Sequence, residues 1–207
     1  MTAASLRGMS RRPGRWLGLA LAVVAACTFA IGPALAQSNF VTQAKQAILI
    51  DANDGSVLFQ HNADELMHPA SMSKLMTLVM VFRALKSGEL KMEDEFVMSV
   101  NAWRTGGAPS GTSAMFVPVN EKVTVSELLQ GIIVQSGNDA SICVAENLAG
   151  TEEAFAEQMT QLGREIGLTS TTFKNATGLY HPEHLTTARD LARLAQYVIK
   201  EFPEFYP

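Results

Sequence analysis

Alternating and periodic hydrophobic positions along the chain predict a β-hairpin followed by a series of helices. The apolar runs 47–51 and 56–60 flank Asn53-Asp54-Gly55, and this tripeptide favours a tight turn between two strands. From Leu75 to Leu85, apolar residues recur every three or four positions, which predicts a largely buried helix ending at Gly88. A hairpin that precedes several helices predicts an α+β fold with a helix-rich middle.

Threonines stand directly before three further apolar-periodic segments, where their hydroxyls can cap a helix. Glycines stand where two of the segments end, as is typical of helix C-termini. The predicted helices run from Thr124 to a break at 135–138, from there to Gly150, from Thr151 to Gly167, and from Thr187 through Val198.

The segments between these helices carry turn chemistry. The stretch 96–116 contains Gly106, Gly107, Pro109 and Gly111, and is predicted to be a surface loop. The run 171–173 predicts a short strand, and Asn175-Ala176-Thr177-Gly178 predicts a turn. The same turn fits the N-x-T glycosylation pattern, but we interpret it as a turn.

The first 36 residues predict a secretory signal peptide. All four of its basic residues lie in the first fifteen positions, an apolar stretch follows, and 33–36 ends in an A-x-A pattern. Cleavage after Ala36 would leave 37–207 as the exported protein. An uncleaved membrane anchor and a lipid-modified Cys27 remain as alternatives.

The composition is that of a folded globular protein, with 207 residues that are 47% hydrophobic and 17% charged. The formal charge is −4; without the leader, 12 basic and 20 acidic residues give −8. This balance argues against nucleic acid or anionic lipid as a partner. The exported part retains only Cys143, so it has no intramolecular disulfide, and its apolar neighbours predict a buried side chain.

Ser71 and Lys74 form an S-x-x-K pattern at the start of the first predicted helix. A spacing of three places both side chains on one helix face. Apolar neighbours lower the cost of deprotonating the lysine, so it can accept the proton of the serine hydroxyl. Alone the pattern is common, and a capping serine beside a surface lysine is then the better explanation.

Ser136-Gly137-Asn138 is an S-x-N pattern in the break between two predicted helices, where a hydroxyl and a carboxamide can face a cleft. A helix-capping loop is the alternative interpretation. A second S-x-N at 99–101 is rejected, because it falls in a stretch predicted to be extended.

Together these patterns resemble the penicillin-recognising serine enzymes, whose signature is S-x-x-K, S-x-N and K-T-G. The blocks 69–77, 135–140, 175–179 and 187–192 are similar to the D-alanyl-D-alanine carboxypeptidases, the low-molecular-mass penicillin-binding proteins. The resemblance covers the chain from about residue 47 onward. It implies an antiparallel sheet packed beside a helix-rich region, with the active site in the cleft between them.

The resemblance also implies the role of each site residue. Ser71 would be the acylated nucleophile, Lys74 its general base, Ser136 a proton relay to the leaving D-alanine, and Asn138 a ligand of the substrate amide. The substrate would be the peptidoglycan pentapeptide, β-lactams would acylate the same serine, and no cofactor or metal is implied. The enzyme would work in the periplasm or on the outer face of the cytoplasmic membrane, and association of a full-length parent with the membrane is left open.

The K-T-G strand that the resemblance leads one to expect is absent, because none of the seven lysines precedes Thr-Gly. In the family this strand forms one wall of the cleft. We therefore expect 37–207 to be an incomplete catalytic domain, and the 207-residue polypeptide to be inactive by itself. Stoichiometric labelling of Ser71 in this polypeptide by a fluorescent penicillin would contradict that expectation.

Two other functions remain as alternatives. A β-lactamase shares the first two motifs, and Glu165 with Thr169 partly matches the segment that such enzymes use for deacylation. A non-catalytic peptidoglycan-binding domain would explain the missing third motif. By contrast, His181 and His184 have a metal-like spacing but no third ligand nearby, so no metal site is predicted.

Overall fold

The computed structural model of the protein describes residues 41–206. The predicted signal peptide lies outside the described residues. These residues form four short strands, six α-helices and two 3-10 turns. In chain order they are β1 (Ala47–Ile50), β2 (Val57–His61), a 3-10 turn (Ala70–Ser73), α1 (Lys74–Ser87), β3 (Glu95–Val97), α2 (Val100–Gly106), a 3-10 turn (Ala108–Ser110), β4 (Lys122–Thr124), α3 (Val125–Gln135), α4 (Asn138–Ala149), α5 (Glu152–Glu165) and α6 (Ala188–Glu201).

Strands β1 and β2 form the predicted antiparallel hairpin. Gly55 closes the turn with a φ of 79°, a conformation that suits glycine, and its N–H donates to the Asp51 carbonyl at 2.8 Å. Helix α6 packs against β1, and its Gln196 carboxamide donates to the Ala52 carbonyl. The hairpin is therefore held to the helical region through α6.

Helices α1 and α4 lie at the centre of the helical region. Helix α1 contacts α3, α4, α5 and α6, while α4 contacts α2, α3, α5 and β3. The first eight residues of α4 are all buried, from Asn138 to Ala145. The core around them is aliphatic, sulfur-containing and aromatic: its largest fully buried side chains include Met76, Met98, Leu128, Ile142, Phe155, Met159 and Leu194.

The threonine caps are confirmed as predicted. The Thr124 hydroxyl accepts a hydrogen bond from the Glu127 backbone N–H, and the Thr124 backbone N–H donates to the Glu127 carboxylate, which forms a capping box. Thr151 and Thr187 accept from the backbone three residues later in the same way. These local contacts set where three of the helices begin.

Two predictions about the connecting segments were wrong. The stretch 96–116 was predicted to be a surface loop, but it contains the end of β3, helix α2 and a 3-10 turn. Ser99, itself in an extended conformation, caps α2, and Asn101 lies within that helix, so the second S-x-N does not lie wholly in extended chain. The run 171–173 is no strand, since only Thr172 pairs, through a single bridge to Leu185.

The carboxylate of Asp139 fixes the loop that follows α2 against α4. Asp139 is fully buried and accepts hydrogen bonds from the backbone N–H groups of Met115, Phe116 and Ala140, each at 2.9 Å. Phe116 has a positive φ of 63°, an unfavourable conformation for this residue that these bonds help to maintain. The loop is thereby placed beside Asn138, whose N–H donates to the Ser113 carbonyl at 2.8 Å.

We expect the substitution Asp139→Ala to lower the free energy of unfolding by about 2–4 kcal/mol, because two loop N–H groups lose a charged acceptor. Urea unfolding followed by circular dichroism measures this loss. The control is Asp64→Ala, which removes a carboxylate that is 71% exposed and paired with Arg189 at the surface. An equal loss in both variants would contradict the role assigned to Asp139.

Among residues 41–206, no helix has both the length and the apolar character needed to cross a bilayer.

Candidate active site

The predicted nucleophile lies in a 3-10 turn that leads directly into helix α1. Ala70, immediately before it, has a positive φ of 48°, and the Ser73 hydroxyl donates to the Ala70 carbonyl at 3.1 Å. Ser71 is exposed, whereas Lys74 is only 4% exposed. The turn therefore presents a hydroxyl to solvent above a buried amine.

The ammonium nitrogen of Lys74 contacts three oxygen atoms. Nζ lies 3.1 Å from the Ser71 Oγ, 2.7 Å from the Asn138 Oδ1 and 2.7 Å from the carbonyl oxygen of Thr177. The two carbonyl-type oxygens can only accept, whereas the hydroxyl can also donate. A neutral amine has two N–H groups and one lone pair. When both N–H groups bind the carbonyl oxygens, the lone pair is left for the Ser71 hydroxyl, which is the arrangement of a general base.

Burial favours the neutral form of this amine and lowers the pKa of Lys74 from 10.5 to about 8. Within the described residues, no carboxylate lies within hydrogen-bonding distance of Nζ to oppose the effect. About a tenth of the Lys74 side chains would then be neutral at pH 7, against fewer than one in a thousand for an ordinary lysine.

Asn138 is 5% exposed at the start of α4, and both ends of its carboxamide are bound. The carboxamide oxygen accepts from Lys74, and the carboxamide nitrogen donates to the Thr112 hydroxyl at 2.9 Å. The Thr112 hydroxyl in turn is hydrogen-bonded to the Ser110 hydroxyl. The structure thus brings Asn138 to the lysine. The sequence did not predict this contact, and a contact with the substrate amide stays a prediction.

Ser136 lies in the break between α3 and α4, as predicted. It ends α3 in the left-handed conformation, with a φ of 54° and a ψ of 36°. Among the described residues, no hydrogen bond joins its hydroxyl to Ser71 or Lys74. Its part in proton transfer therefore stays a prediction.

The third oxygen at Lys74 comes from a residue that the sequence did not identify. Thr177 belongs to the predicted turn 175–178, whose last residue, Gly178, has a φ of 82°. A Cβ at Gly178 would lie 1.9 Å from the Ala70 carbonyl oxygen. Only glycine therefore allows the turn 175–178 to approach the 3-10 turn that contains Ser71 this closely. The glycine was a visible signal for a turn, but nothing in the sequence indicated where the Thr177 carbonyl points.

The other groups that the sequence singled out are the S-x-N at 99–101, the Cys143 thiol and the histidine pair 181/184. The rejected S-x-N at 99–101 binds through Ser99 and Asn101 to the Glu146 carboxylate. Burial raises the pKa of the Cys143 thiol to about 12, as suits a core residue, and lowers the pKa of His184 to about 4. In the described part of the chain, no three histidine, cysteine or acidic side chains are grouped so as to hold a metal ion.

Comparison with known proteins agrees with the motifs. Residues 34–207 match a family model described as D-alanyl-D-alanine carboxypeptidase. The chain is 39% identical over 184 residues to D-alanyl-D-alanine carboxypeptidase DacF of Bacillus subtilis, covering 89% of this chain and 46% of that protein. It is 42% identical over 164 residues to DacC of Escherichia coli, covering 79% of this chain and 41% of that protein. The chain therefore spans less than half the length of these relatives.

Solved structures show the same fold. DacD from Francisella tularensis superposes with a TM-score of 0.77 at 38% identity, over 82% of this chain and 40% of that one. Penicillin-binding protein 5 from Haemophilus influenzae superposes with a TM-score of 0.75 at 35% identity, over 80% of this chain and 48% of that one. Penicillin-binding protein D2 from Listeria monocytogenes, in its ampicillin-bound form, superposes with a TM-score of 0.66 at 27% identity, over 81% of this chain and 66% of that one. The predicted α+β fold is confirmed.

Proposed function

The chain belongs to the D-alanyl-D-alanine carboxypeptidase family, and we propose that the complete protein removes the terminal D-alanine of peptidoglycan stem peptides through an acyl-enzyme on Ser71. The observation that carries this proposal is the environment of Lys74. Its buried nitrogen, of lowered pKa, lies 2.7 Å from two carbonyl-type oxygens and 3.1 Å from the hydroxyl of the exposed residue Ser71.

The proposed reaction has two steps. In the first, the Ser71 oxygen bonds to the carbonyl carbon of the penultimate D-alanine while Lys74 takes the hydroxyl proton. The peptide C–N bond then breaks as its nitrogen receives, through Ser136 as the relay, the proton that Lys74 accepted, and the terminal D-alanine leaves as the free amine. In the second step water attacks the ester, releasing the shortened peptide and restoring the Ser71 hydroxyl.

Charge that develops on the carbonyl oxygen needs hydrogen-bond donors. The backbone N–H of Ser71 lies in the first turn of the segment leading into α1, where backbone N–H groups lack intrahelical acceptors. We assign it as one donor of the oxyanion hole. Asn138 would hold the substrate amide.

β-Lactams are proposed to acylate the same serine. A β-lactam carbonyl undergoes the same attack by the Ser71 oxygen, with ring opening in place of loss of D-alanine. Support comes from the structural similarity to the Listeria monocytogenes protein that is described as ampicillin-bound. Because peptidoglycan lies outside the cytoplasmic membrane, the enzyme must be exported, which is consistent with the predicted signal peptide.

The β-lactamase alternative depends on a glutamate that activates the deacylating water. Glu165 is the last residue of α5, is 55% exposed and lies 3.9 Å from Arg83 in a surface ion pair. Gly167, two residues later, has a φ of 88° at the helix end, where it was predicted to terminate the helix. Within residues 41–206, Glu165 makes no hydrogen bond or ion pair with Ser71 or Lys74, so the structure gives no support to a role of Glu165 in deacylation.

The proposal is tested by incubating the complete protein with a pentapeptide that ends in D-Ala-D-Ala and measuring release of free D-alanine. The lifetime of the penicilloyl-enzyme, followed by mass spectrometry, separates the alternatives. We expect D-alanine release and an acyl-enzyme that persists for minutes or longer. Turnover of penicillin within seconds would indicate a β-lactamase, and absence of both reactions would indicate a binding domain.

A further inference from the structure

The Thr177 carbonyl is a backbone group, so its direction toward Lys74 has to be imposed by its surroundings. It belongs to the peptide unit that joins Thr177 to Gly178. In a planar trans peptide, the C=O and the N–H point in opposite directions. Whatever binds the Gly178 N–H therefore also determines where the Thr177 C=O points.

The carboxamide of Asn175 binds that N–H. Its Oδ1 accepts from the Gly178 N–H at 2.7 Å, on the side of the peptide unit opposite to Lys74. The same oxygen contacts the backbone N–H of Thr177 at 3.2 Å and the Thr177 hydroxyl at 3.1 Å. The carboxamide nitrogen donates to the Leu179 carbonyl at 2.9 Å. One side chain thus organises the turn from its first residue to beyond its last.

Ala176, the second residue of the turn, is held by side chains that lie outside the turn. The Ala176 carbonyl accepts from the hydroxyl of Thr77, which lies one turn after Lys74 on α1, at 2.8 Å. The Ala176 N–H donates to the Glu152 carboxylate at 2.9 Å. Burial raises the pKa of Glu152, and the donated bond opposes that rise. With Ala176 held on both sides, the orientation of the next peptide units depends chiefly on Asn175.

We propose that Asn175 is a positioning residue for the general base Lys74. Its carboxamide holds the 177–178 peptide unit so that the Thr177 carbonyl accepts one N–H of the lysine. If that unit rotated, its N–H would face the lysine instead, and the amine would lose one of the two acceptors that direct its lone pair to Ser71. The catalytic consequence rests on the proposed function, whereas the effect on Lys74 itself does not.

The test compares Asn175→Ala and Asn175→Asp with the unsubstituted complete protein. The ¹⁵N chemical shift of the Lys74 Nζ is followed against pH, which reports the lysine pKa without any turnover. In parallel, the second-order rate of acylation by a fluorescent penicillin is measured against pH. Asn147→Ala is the matched control, because its carboxamide also donates to backbone, at the Cys143 carbonyl, but far along α4 from Lys74.

For Asn175→Ala we expect a lysine pKa below that of the unsubstituted protein, because the ammonium loses a carbonyl dipole, and an acylation rate lower by about 10–100-fold. Asn175→Asp keeps an oxygen in the accepting position, so we expect its acylation rate to lie between those of Asn175→Ala and the unsubstituted protein. Asn147→Ala should change neither quantity.

An unchanged or raised lysine pKa in folded Asn175→Ala would overturn the proposal, as would a rate that falls only in proportion to the folded fraction. If Asn175→Ala does not fold, the Asn175→Asp protein tests the proposal instead. Acylation slowed in it as severely as in Lys74 variants would show that an accepting oxygen at residue 175 does not suffice to position Lys74, and would overturn the proposal. Absence of acylation in the unsubstituted protein would refute the proposed function alone, because the nitrogen titration still reports on Asn175.

Discussion

Replacing Ser71 by alanine should abolish covalent labelling of the complete protein by a fluorescent penicillin. The substitution removes the oxygen atom that forms the ester, and leaves the Lys74 amine and its two carbonyl contacts in place. No other hydroxyl is hydrogen-bonded to this amine among the described residues, so none can take over the attack with the same base. We expect labelling to fall by at least about 10³-fold, to the detection limit of the gel.

The control for this prediction is Ser87→Ala. Ser87 ends the same helix, and within residues 41–206 its hydroxyl donates only to the Ala84 carbonyl, so labelling should be unchanged. Mass spectrometry of the digested, labelled protein should locate the penicilloyl group on the peptide containing Ser71. Stoichiometric labelling of the Ser71→Ala protein would show that another residue is the nucleophile.

Removing the base should have an effect of similar size and a distinct pH signature. In Lys74→Met the apolar side chain fills the buried site but cannot accept a proton, and we expect acylation to slow by at least about 10³-fold. Lys74→Arg keeps a positive charge that does not deprotonate, so it should be equally slow. A role limited to the lysine charge would instead leave the arginine variant active.

The pH profile of the unsubstituted protein provides the second readout. Acylation should rise with pH up to about 8, where the ammonium loses its proton, and level off above that value. In both Lys74 variants the residual rate should lack this rise. Lys86→Met, on the same helix, is the control, since the Lys86 amine donates to the Glu201 carbonyl instead. A residual rate that keeps its rise near pH 8 would show that a group other than Lys74 is the base.

The same titration should affect folding stability. The Lys74 pKa is lowered in the folded protein, so the unfolded chain binds more protons between about pH 8 and 10.5. The free energy of unfolding contributed by this group should therefore rise with pH across that interval. The Lys74→Met protein should lack that contribution.

Local sequence signals predicted the elements whose ends depend on neighbouring residues. Thr124, Thr151 and Thr187 each cap a helix through a backbone N–H three residues ahead, a contact that needs no tertiary structure. The hairpin followed from its turn residues in the same way. The spacing of Ser71 and Lys74 predicted their contact correctly, even though Ser71 lies in a 3-10 turn and not in the helix.

The sequence failed where an element is short and its partner is distant. Strands β3 and β4 have three residues each and pair with one another across α2, so neither carries a periodic pattern of its own. Helix α2 has seven residues and ends among glycines, which favoured the loop interpretation. The run 171–173 has the residue types of a strand but meets only one partner residue.

By itself, the sequence determined the family and the fold class, and it predicted Ser71 as the nucleophile and Lys74 as the base, because these depend on side-chain types at fixed spacings. Only the tertiary structure decided how the base is oriented. The Asn138 carboxamide comes from a helix 64 residues along the chain, and the third oxygen comes from the backbone of Thr177, 103 residues away. Every residue has a carbonyl, so no residue type could mark the one that folding brings to Lys74.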